Sequence, residues 1–406
     1  MTAIVREKDC FPEIVGYQSW LETIRRDLHA HPELGFETTR TIGRIVEALT
    51  SFGLPREAID TETVKGAAFV LIEGRRPGAT VALRADCDAL PMTDEGDKPW
   101  KSQTACRAHA CGHDGHTTWL IGALRSLYEK NDFAGRVLGI FQPAEEIGRG
   151  ANAVVEAGIL EKHHVSEIYA CHDEATLPKG VAGFCFGPAQ ASCDFFYITI
   201  TGKGTHGARP HLGTDPVPVA AELVGTLQTI VSRKINPIEK AVVSVCSINA
   251  GRVNAPNVVP REATLSGTIR TFNPAVREQI AQEMRRMVEF EPQASGCSGE
   301  LRIDNLTGPV INHADTTRHM MDFVVKQFGA DAADDTFAIS MGGEDFAEYQ
   351  ARIPGTIIRL GIADETHTVS IHNPVFDFND DMIAMGATIL AGTARERLAA
   401  LADSND

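Results

Sequence analysis

The sequence lacks any long apolar run, and its charge balance is far from basic. No stretch approaches the roughly 20 apolar residues that a membrane-spanning helix needs, and no basic segment followed by an apolar one resembles an export signal. The chain carries 38 Lys and Arg against 54 Asp and Glu, a formal net charge of −16. This charge argues against nucleic acid or an anionic membrane as a partner. We therefore expect a protein of the cytoplasm that binds neither.

The sequence also lacks the cysteine spacing of a disulfide framework. The nine cysteines are an odd number without regular spacing, so reduced thiols are the expected state in a cytoplasm. No internal repeat or low-complexity tract is present. The 406 residues, 43% apolar and 23% charged, have the composition of a globular protein. This length exceeds one ordinary core, which predicts two domains.

The densest chemistry lies at 109–116, where His109, Cys111, His113, Asp114 and His116 fall within eight residues. A divalent metal is the partner that uses soft sulfur, imidazole nitrogen and hard oxygen together. Cys111 and His113 are two apart, so a tight turn can direct both side chains at one ion. The alternative is a polar turn with a chance cysteine.

Three further sites carry ligand-type residues, and two of them follow short apolar runs. Glu145 and Glu146 come after 137–141, a predicted buried strand that Pro143 ends. Adjacent carboxylates there point in different directions, so that one can bind metal while the other faces a substrate; a solvated helix start is the alternative. His172 ends a second apolar strand, and His372 precedes a turn bounded by proline. Either histidine alone could be structural, but together the sites favour a metal centre.

Helix and strand patterns alternate through the first half of the chain, which predicts an α/β layer with helices on both sides of a sheet. The predicted helices are 21–28, 39–52 and 116–128, and the predicted strands are 67–72 and 80–83, with Pro77-Gly78 as the turn between those two strands.

The pattern changes near Asp194. The segments 195–201, 241–250, 263–271 and 300–305 read as strands, and 216–231 and 274–290 as helices. This β-α-β-β-α-β order is typical of a ferredoxin-like unit. We predict an inserted domain at 194–304 between two parts of a first domain, 1–193 and 305–406.

The sequence resembles the aminoacylase, hippurate hydrolase and auxin-amino-acid hydrolase group of dinuclear metallopeptidases, in the branch with a cysteine in its metal site. Matching motifs run nearly from end to end, and their order is more specific than any one of them. They lie at 25–36, 83–91, 109–116, 141–146, 202–211, 257–260, 267–270, 342–346 and 372–374.

The resemblance implies a mixed-sheet α/β catalytic domain with an inserted ferredoxin-like α+β domain that serves as lid and dimer interface, in a homodimer or higher homo-oligomer. It implies one or two divalent ions per chain, with manganese or zinc favoured and cobalt or nickel as alternatives. Cys111 would bridge two ions, and the other ligands would be His113, Glu146, His172 and His372. Asp88 would orient a ligand through a hydrogen bond.

The resemblance also implies hydrolysis of an amide bond in a small N-acyl amino acid or amino acid conjugate. Glu145 would act as general base on a metal-bound water, and the resulting hydroxide would attack the carbonyl. His206 would polarise that carbonyl, often from the neighbouring subunit. The expected substrate-binding residues are Asn257, Arg270, Gly342 and Gly343.

One departure from the family lies after His172, where the family usually has an apolar or Asn-Pro sequence and this chain has Asp173 and Glu174. These acids could accept hydrogen bonds from an amino group, hold a third cation, or face water. They motivate an alternative activity, the hydrolytic deamination of an aromatic amine by the same hydroxide. A non-catalytic binding protein on this fold is the other alternative, although such a protein needs no general base.

Overall fold

The computed structural model describes residues 7–403, which form two compact units. The first comprises the chain up to Ala189, Ile311–Ile339 and Asp345 onward, and the second comprises Gln190–Val310 and Ser340–Glu344. The ends of the predicted first domain, residues 1–6 and 404–406, lie outside the described residues. The segment 340–344, which the sequence assigns to the first domain, belongs with the second unit, where Ser340 pairs with Gln190.

Helices and strands alternate in the first unit. Its helices are α1 (Pro12–Gly16), α2 (Gln18–Ala30), α3 (Thr39–Ser51), α4 (His113–Glu129), α5 (Gly150–Glu156), α6 (Ile159–Lys162), α9 (Ala314–Phe328), α10 (Ala347–Gln350) and α11 (Ile383–Asp403). Its strands are β1 (Ile59–Asp60), β2 (Ala68–Glu73), β3 (Arg76–Asp86), β4 (Ala134–Gln142), β5 (Val165–Pro178), β6 (Ala182–Gly183), β15 (Ala333–Asp334) and β16 (Gly355–Ala363).

These eight strands form one mixed sheet in the order β1-β2-β4-β3-β5-β16-β6-β15. The four central strands, β4, β3, β5 and β16, run parallel to one another. Strand β2 pairs with β4 in the antiparallel direction, as β6 does with β16. The mixed α/β architecture predicted from the sequence is confirmed.

Helices α4 and α11 pack together within the first unit's core. Glycines make this close approach possible: a Cβ atom at Gly386 of α11 would lie 2.4 Å from the Trp119 ring on α4. Both helices are buried around most of their circumference, which explains why their apolar residues show little one-sided periodicity. The Cys111 loop is thereby attached to the rigid centre of the unit.

Two local predictions were wrong. Pro77 and Gly78 lie within β3 and form no turn, because that strand already begins at Arg76. His172 does not end its strand, since β5 continues to Pro178. In both cases residues typical of loops are accommodated in long strands.

The second unit is built around a four-stranded antiparallel sheet. Its main strands are β8 (Cys193–Thr201), β10 (Ala241–Ala250), β12 (Glu262–Thr271) and β13 (Ser298–Thr307), and its helices are α7 (Pro216–Thr229) and α8 (Pro274–Phe290). The strand order β10-β12-β8-β13 is that of a ferredoxin-like sheet, and the two helices contribute to its core. The short strands β9 (Thr205–His206) and β11 (Val258–Val259) pair separately, while β7 (Gly187–Gln190) and β14 (Val310–Asn312) lie where the chain passes between the units. No helix among residues 7–403 is long and apolar enough to cross a membrane.

Candidate metal centre

The candidate centre lies where parallel strands of the first unit end. Asp86 closes β3 and is the register partner of Gln142, which closes β4. His172 lies on the next strand, β5, two residues beyond the Arg84–Ala170 pair. Because the carboxyl ends of parallel strands meet at one edge of a sheet, this edge is where α/β proteins place their ligands.

Cys111 reaches this edge from the loop before α4. Gly112 begins the helix with a left-handed φ of 78°, and a Cβ atom there would lie 2.3 Å from Asp173 Oδ1. Only glycine therefore fits this turn. The Cys111 sulfur is buried and lies 3.7 Å from His172 Nε2. Burial, followed by the charge of Glu146, raises the pKa of this thiol well above its usual value.

His113 directs one ring nitrogen toward three carboxylates. Its Nδ1 lies 2.9 Å from the carbonyl oxygen of Asp88, and that contact fixes the ring. Its Nε2 lies 3.7 Å from Asp86, 3.8 Å from Glu146 and 4.0 Å from Glu145. These distances are too long for hydrogen bonds, and this buried nitrogen has no hydrogen-bond partner among the described residues.

The turn that carries Glu145 and Glu146 is held by Asp88. The Asp88 carboxylate accepts the backbone N–H groups of both glutamates, at 3.0 and 3.3 Å. Ala144 adopts a left-handed φ of 59° just before them, a conformation that costs energy for a residue with a Cβ. Burial raises the pKa of Glu146 to about 7, whereas the Glu145 side chain is more exposed, at 12% against 7%.

The two distant histidines complete the cluster. His172 Nδ1 donates to the backbone carbonyl of Asp173 at 2.8 Å, which leaves Nε2 for Cys111. Burial and then the charge of Arg359 lower the pKa of His172 to about 4. His372 has a left-handed φ of 59° and donates its backbone N–H to Ala110. Its Nε2 lies 3.6 Å from Glu146, and its side chain is 54% exposed.

The donor set fits a pair of divalent cations. Three groups each bring their candidate ligand atoms within 4.8 Å of one another: Cys111 with His113 and His172, Cys111 with Glu146 and His372, and His113 with Glu145 and Glu146. Cys111 belongs to two of these groups, as a bridging thiolate would. His113 Nε2 and Glu146 Oε1 are buried without hydrogen-bond partners among residues 7–403, and such atoms are costly unless a cation satisfies them.

A buried ion-pair network lies next to the carboxyl ends of strands β3 and β4. Arg84 donates to Asp86 at 2.7 Å and to Asp345 at 3.0 Å, and all three side chains are buried. Asp345 also accepts the side-chain amide of Gln142 and the backbone N–H of Ala151 near the start of α5. Asp345 is thus a buried cap at the start of α5.

The remaining predicted site residues belong to the second unit. His206 is exposed on β9, opposite Val258 of β11, and its Nδ1 accepts the Ala208 N–H at 3.0 Å. The exposed Asn257 accepts the Gly207 N–H through its backbone carbonyl. A Cβ atom at Gly343 would lie 3.2 Å from the Arg270 guanidinium, so a larger residue would crowd that arginine. Gly342 is exposed beside it and donates its N–H to Ser340.

Comparison with known proteins shows the family to which this chain belongs. The family model described as peptidase family M20/M25/M40 matches residues 82–396. The chain belongs to this family. It is therefore a metal-dependent hydrolase of carbon–nitrogen bonds, as the sequence predicted, and the binding-protein alternative is set aside.

Individual members of the M20 family cover nearly the whole chain. It is 35% identical over 380 residues to an N-acetylcysteine deacetylase of Bacillus subtilis, covering 93% of this chain and 97% of that protein. It is 36% identical over 388 residues to the IAA-amino acid hydrolase ILR1-like 2 of Arabidopsis thaliana, covering 93% and 85%. The crystal structure of the Bacillus subtilis YXEP protein, described as a dinuclear metal-binding peptidase of the M20 family, superposes with a TM-score of 0.82 at 32% identity, covering 95% and 99%.

Sequence reasoning missed a buried carboxylate–imidazole chain behind this M20 centre. His116 lies between two acids, with Nδ1 2.6 Å from Asp86 and Nε2 2.8 Å from Asp173. Burial alone would lower the pKa of His116, but the two carboxylates raise it above its ordinary value. The one sequence feature that indicated this role was the position of Asp173 next to His172, but the same position is equally compatible with a residue that faces water. It is 1% exposed.

Proposed function

We propose that this chain hydrolyses the amide bond of an N-acyl amino acid or amino acid conjugate, with Glu145 as general base. The observation that carries the proposal is the contrast between two adjacent carboxylates. Glu146 is the more buried and faces both His113 and His372, whereas Glu145 lies at the more open side of the same cluster. Two neighbouring acids in different environments suit different roles.

Cys111, His113, Glu146, His172 and His372 would hold one or two divalent ions, with manganese or zinc favoured. When bound, such ions lower the pKa of water and polarise a carbonyl oxygen. The Cys111 thiolate, the Glu146 carboxylate and the three imidazoles offer both soft and hard donors, so the donor set alone leaves cobalt and nickel open.

Glu145 would move the proton during the reaction. It would accept a proton from the attacking water as the new carbon–oxygen bond forms, and return it to the amine nitrogen as the carbon–nitrogen bond breaks. The products would be a free carboxylic acid and a free amine. Asp88 supports this step by holding the backbone of residues 145 and 146.

The second unit would act as a lid and dimer interface that supplies substrate contacts. Since His206 Nδ1 accepts a backbone N–H, a neutral ring carries its proton on Nε2 and can donate to a developing oxyanion. Arg270 would bind the substrate carboxylate through its planar guanidinium, together with Asn257 and the open backbone at Gly342 and Gly343.

The relatives support the amide reading. Their names specify the deacetylation of N-acetylcysteine and the hydrolysis of an IAA–amino acid conjugate, and both fit the cleavage of an N-acyl amino acid or amino acid conjugate. The deaminase alternative rests on Asp173 and Glu174 as acceptors for a substrate amino group. The Asp173 carboxylate is instead buried against His116. Glu174 instead accepts from Thr176.

The test is a panel of N-acyl amino acids and aryl amines assayed with metal-loaded protein. We expect equal release of amine and carboxylic acid from the amides, loss of activity with a strong chelator, and recovery on metal addition. Release of ammonia from an aryl amine without any new carboxylate would contradict the proposal and favour the deaminase.

A further inference from the structure

Arg359 is a cationic side chain placed beside the candidate metal centre. Strands β5 and β16 are parallel neighbours, and Arg359 is the register partner of His172. Partnered residues on adjacent strands project from the same face of a sheet. Arg359 therefore extends from the face that carries His172.

Among the described residues, no carboxylate forms an ion pair with this charge. The buried arginines of the first unit are paired: Arg84 with Asp86 and Asp345, and Arg25 with Asp380 and Asp377. Arg359 is also partly buried, yet across residues 7–403 its side chain has neither a hydrogen bond nor a carboxylate within 4.0 Å.

An unpaired, half-buried guanidinium carries a desolvation cost that folding does not recover. Its position next to a metal ligand makes that cost larger, because like charges repel a bound cation. A group that remains unpaired in such a place is best explained by an anion that arrives with the ligand. The guanidinium fork matches a carboxylate in two parallel hydrogen bonds.

We infer that Arg359 forms an anion subsite of the first unit that binds a second carboxylate of the substrate, in addition to the α-carboxylate expected at Arg270. The inference rests on the proposed amide hydrolysis and narrows its substrate class to dicarboxylic N-acyl amino acids. The second carboxylate can come from the acyl group or from the amino acid side chain.

The experiment compares three substrates that separate these sources: N-succinylalanine, N-acetylglutamate and N-acetylglutamine, which keeps the α-carboxylate but has no second one. Wild-type protein should prefer one of the two dianions over this monoanion. In Arg359→Met, kcat/KM for the preferred dianion should fall about 10- to 100-fold, mainly through KM, as expected for a lost charged hydrogen bond. The rate on N-acetylglutamine should change less than threefold.

Two further variants control for folding and for overall charge. Arg359→Lys keeps the charge without the fork and should show an intermediate loss. Arg352→Met removes an exposed arginine from the same unit and should leave the preference unchanged. The inference is overturned if wild-type protein shows no dianion preference, or if Arg359→Met keeps it while Arg359→Lys and Arg352→Met behave alike.

A binding measurement separates this inference from the proposed function. Succinate binding to metal-loaded protein is measured by calorimetry, and we expect the dissociation constant to rise about 10-fold in Arg359→Met. If none of the amides is cleaved, the proposed function fails, whereas the succinate titration still decides the subsite. Equal succinate affinity in wild type and Arg359→Met would refute it.

Discussion

The candidate site residues of the two units differ in how tightly their own unit holds them. In the first unit, His113 and His172 are buried and each donates Nδ1 to a backbone carbonyl. In the second unit, His206 and Asn257 are exposed, and the hydrogen bonds described above join them to Ala208 and Gly207 within the β9–β11 region. The first set is oriented before any ligand binds, whereas the second set can still adapt.

This contrast assigns different energetic roles to the two units. Preoriented ligands lose little conformational freedom when a metal binds, so metal affinity should depend on the first unit alone. Exposed side chains that become ordered only around a substrate are suited to stabilising the transition state. Substitutions should therefore separate cleanly into those that change metal binding and those that change turnover.

The largest effects are expected at two neighbouring positions of the first unit, Glu145 and Glu146. Glu145→Gln should retain metal and lose about 10²- to 10⁴-fold in rate, because an amide cannot carry the proton. Glu146→Gln should instead lower metal occupancy. Metal analysis and steady-state rates of the two purified proteins check this, and the reverse pattern would show that the two roles are exchanged.

In the second unit, His206→Ala should lower kcat on the order of 10²-fold, as for other oxyanion donors, while leaving the bound metal unchanged. The matched control is His211→Ala, which removes an exposed histidine nearby in the same unit. It should leave kcat nearly unchanged. Loss of metal in His206→Ala would break the division between the units.

The same residue tests the proposed dimer. Inactive Glu145→Gln chains are mixed with inactive His206→Ala chains under conditions of demonstrated subunit exchange. If His206 acts across the dimer, each heterodimer contains one intact site and part of the activity returns. No recovery would place His206 in its own subunit's site.

A smaller effect is expected behind the metal ligands. Asp173→Asn should weaken metal affinity about 10-fold, measured by competition with a coloured chelator, because the carboxylate that holds His116 beside His172 is lost. Glu174→Gln is the control and should have no effect, since that acid contacts Thr176. Equal effects of the two substitutions would mean that the anchoring contact is unimportant.

The sequence allowed prediction of the elements and side chains whose signal is local. The spacing of Cys111 and His113, and the placement of Glu146 after an apolar strand, depend on neighbouring residues. The six main elements of the second unit follow from periodicity, and their sheet order agrees with the predicted ferredoxin-like pattern.

Long-range contacts account for what was missed. Asp173 is buried against His116, which is 57 positions away in the sequence. Without this contact, the sequence equally predicts that Asp173 faces water. Arg359 is conspicuous only once strand register places it opposite His172. Pro77 and Gly78 were misread because they lie in the first residues of β3, at a register shift before its regular pairing with β4 and β5 begins at Thr80.

The central claim is that Cys111 bridges two ions held by the first unit. Titration of metal-free protein with Co²⁺, followed by absorption, tests it directly, because a thiolate bound to Co²⁺ gives a charge-transfer band. We predict a band that saturates at two ions per chain, persists in Cys87→Ser, where a buried core cysteine is changed, and disappears in Cys111→Ser. A full band in Cys111→Ser, or saturation of the native chain without any band, would contradict the account.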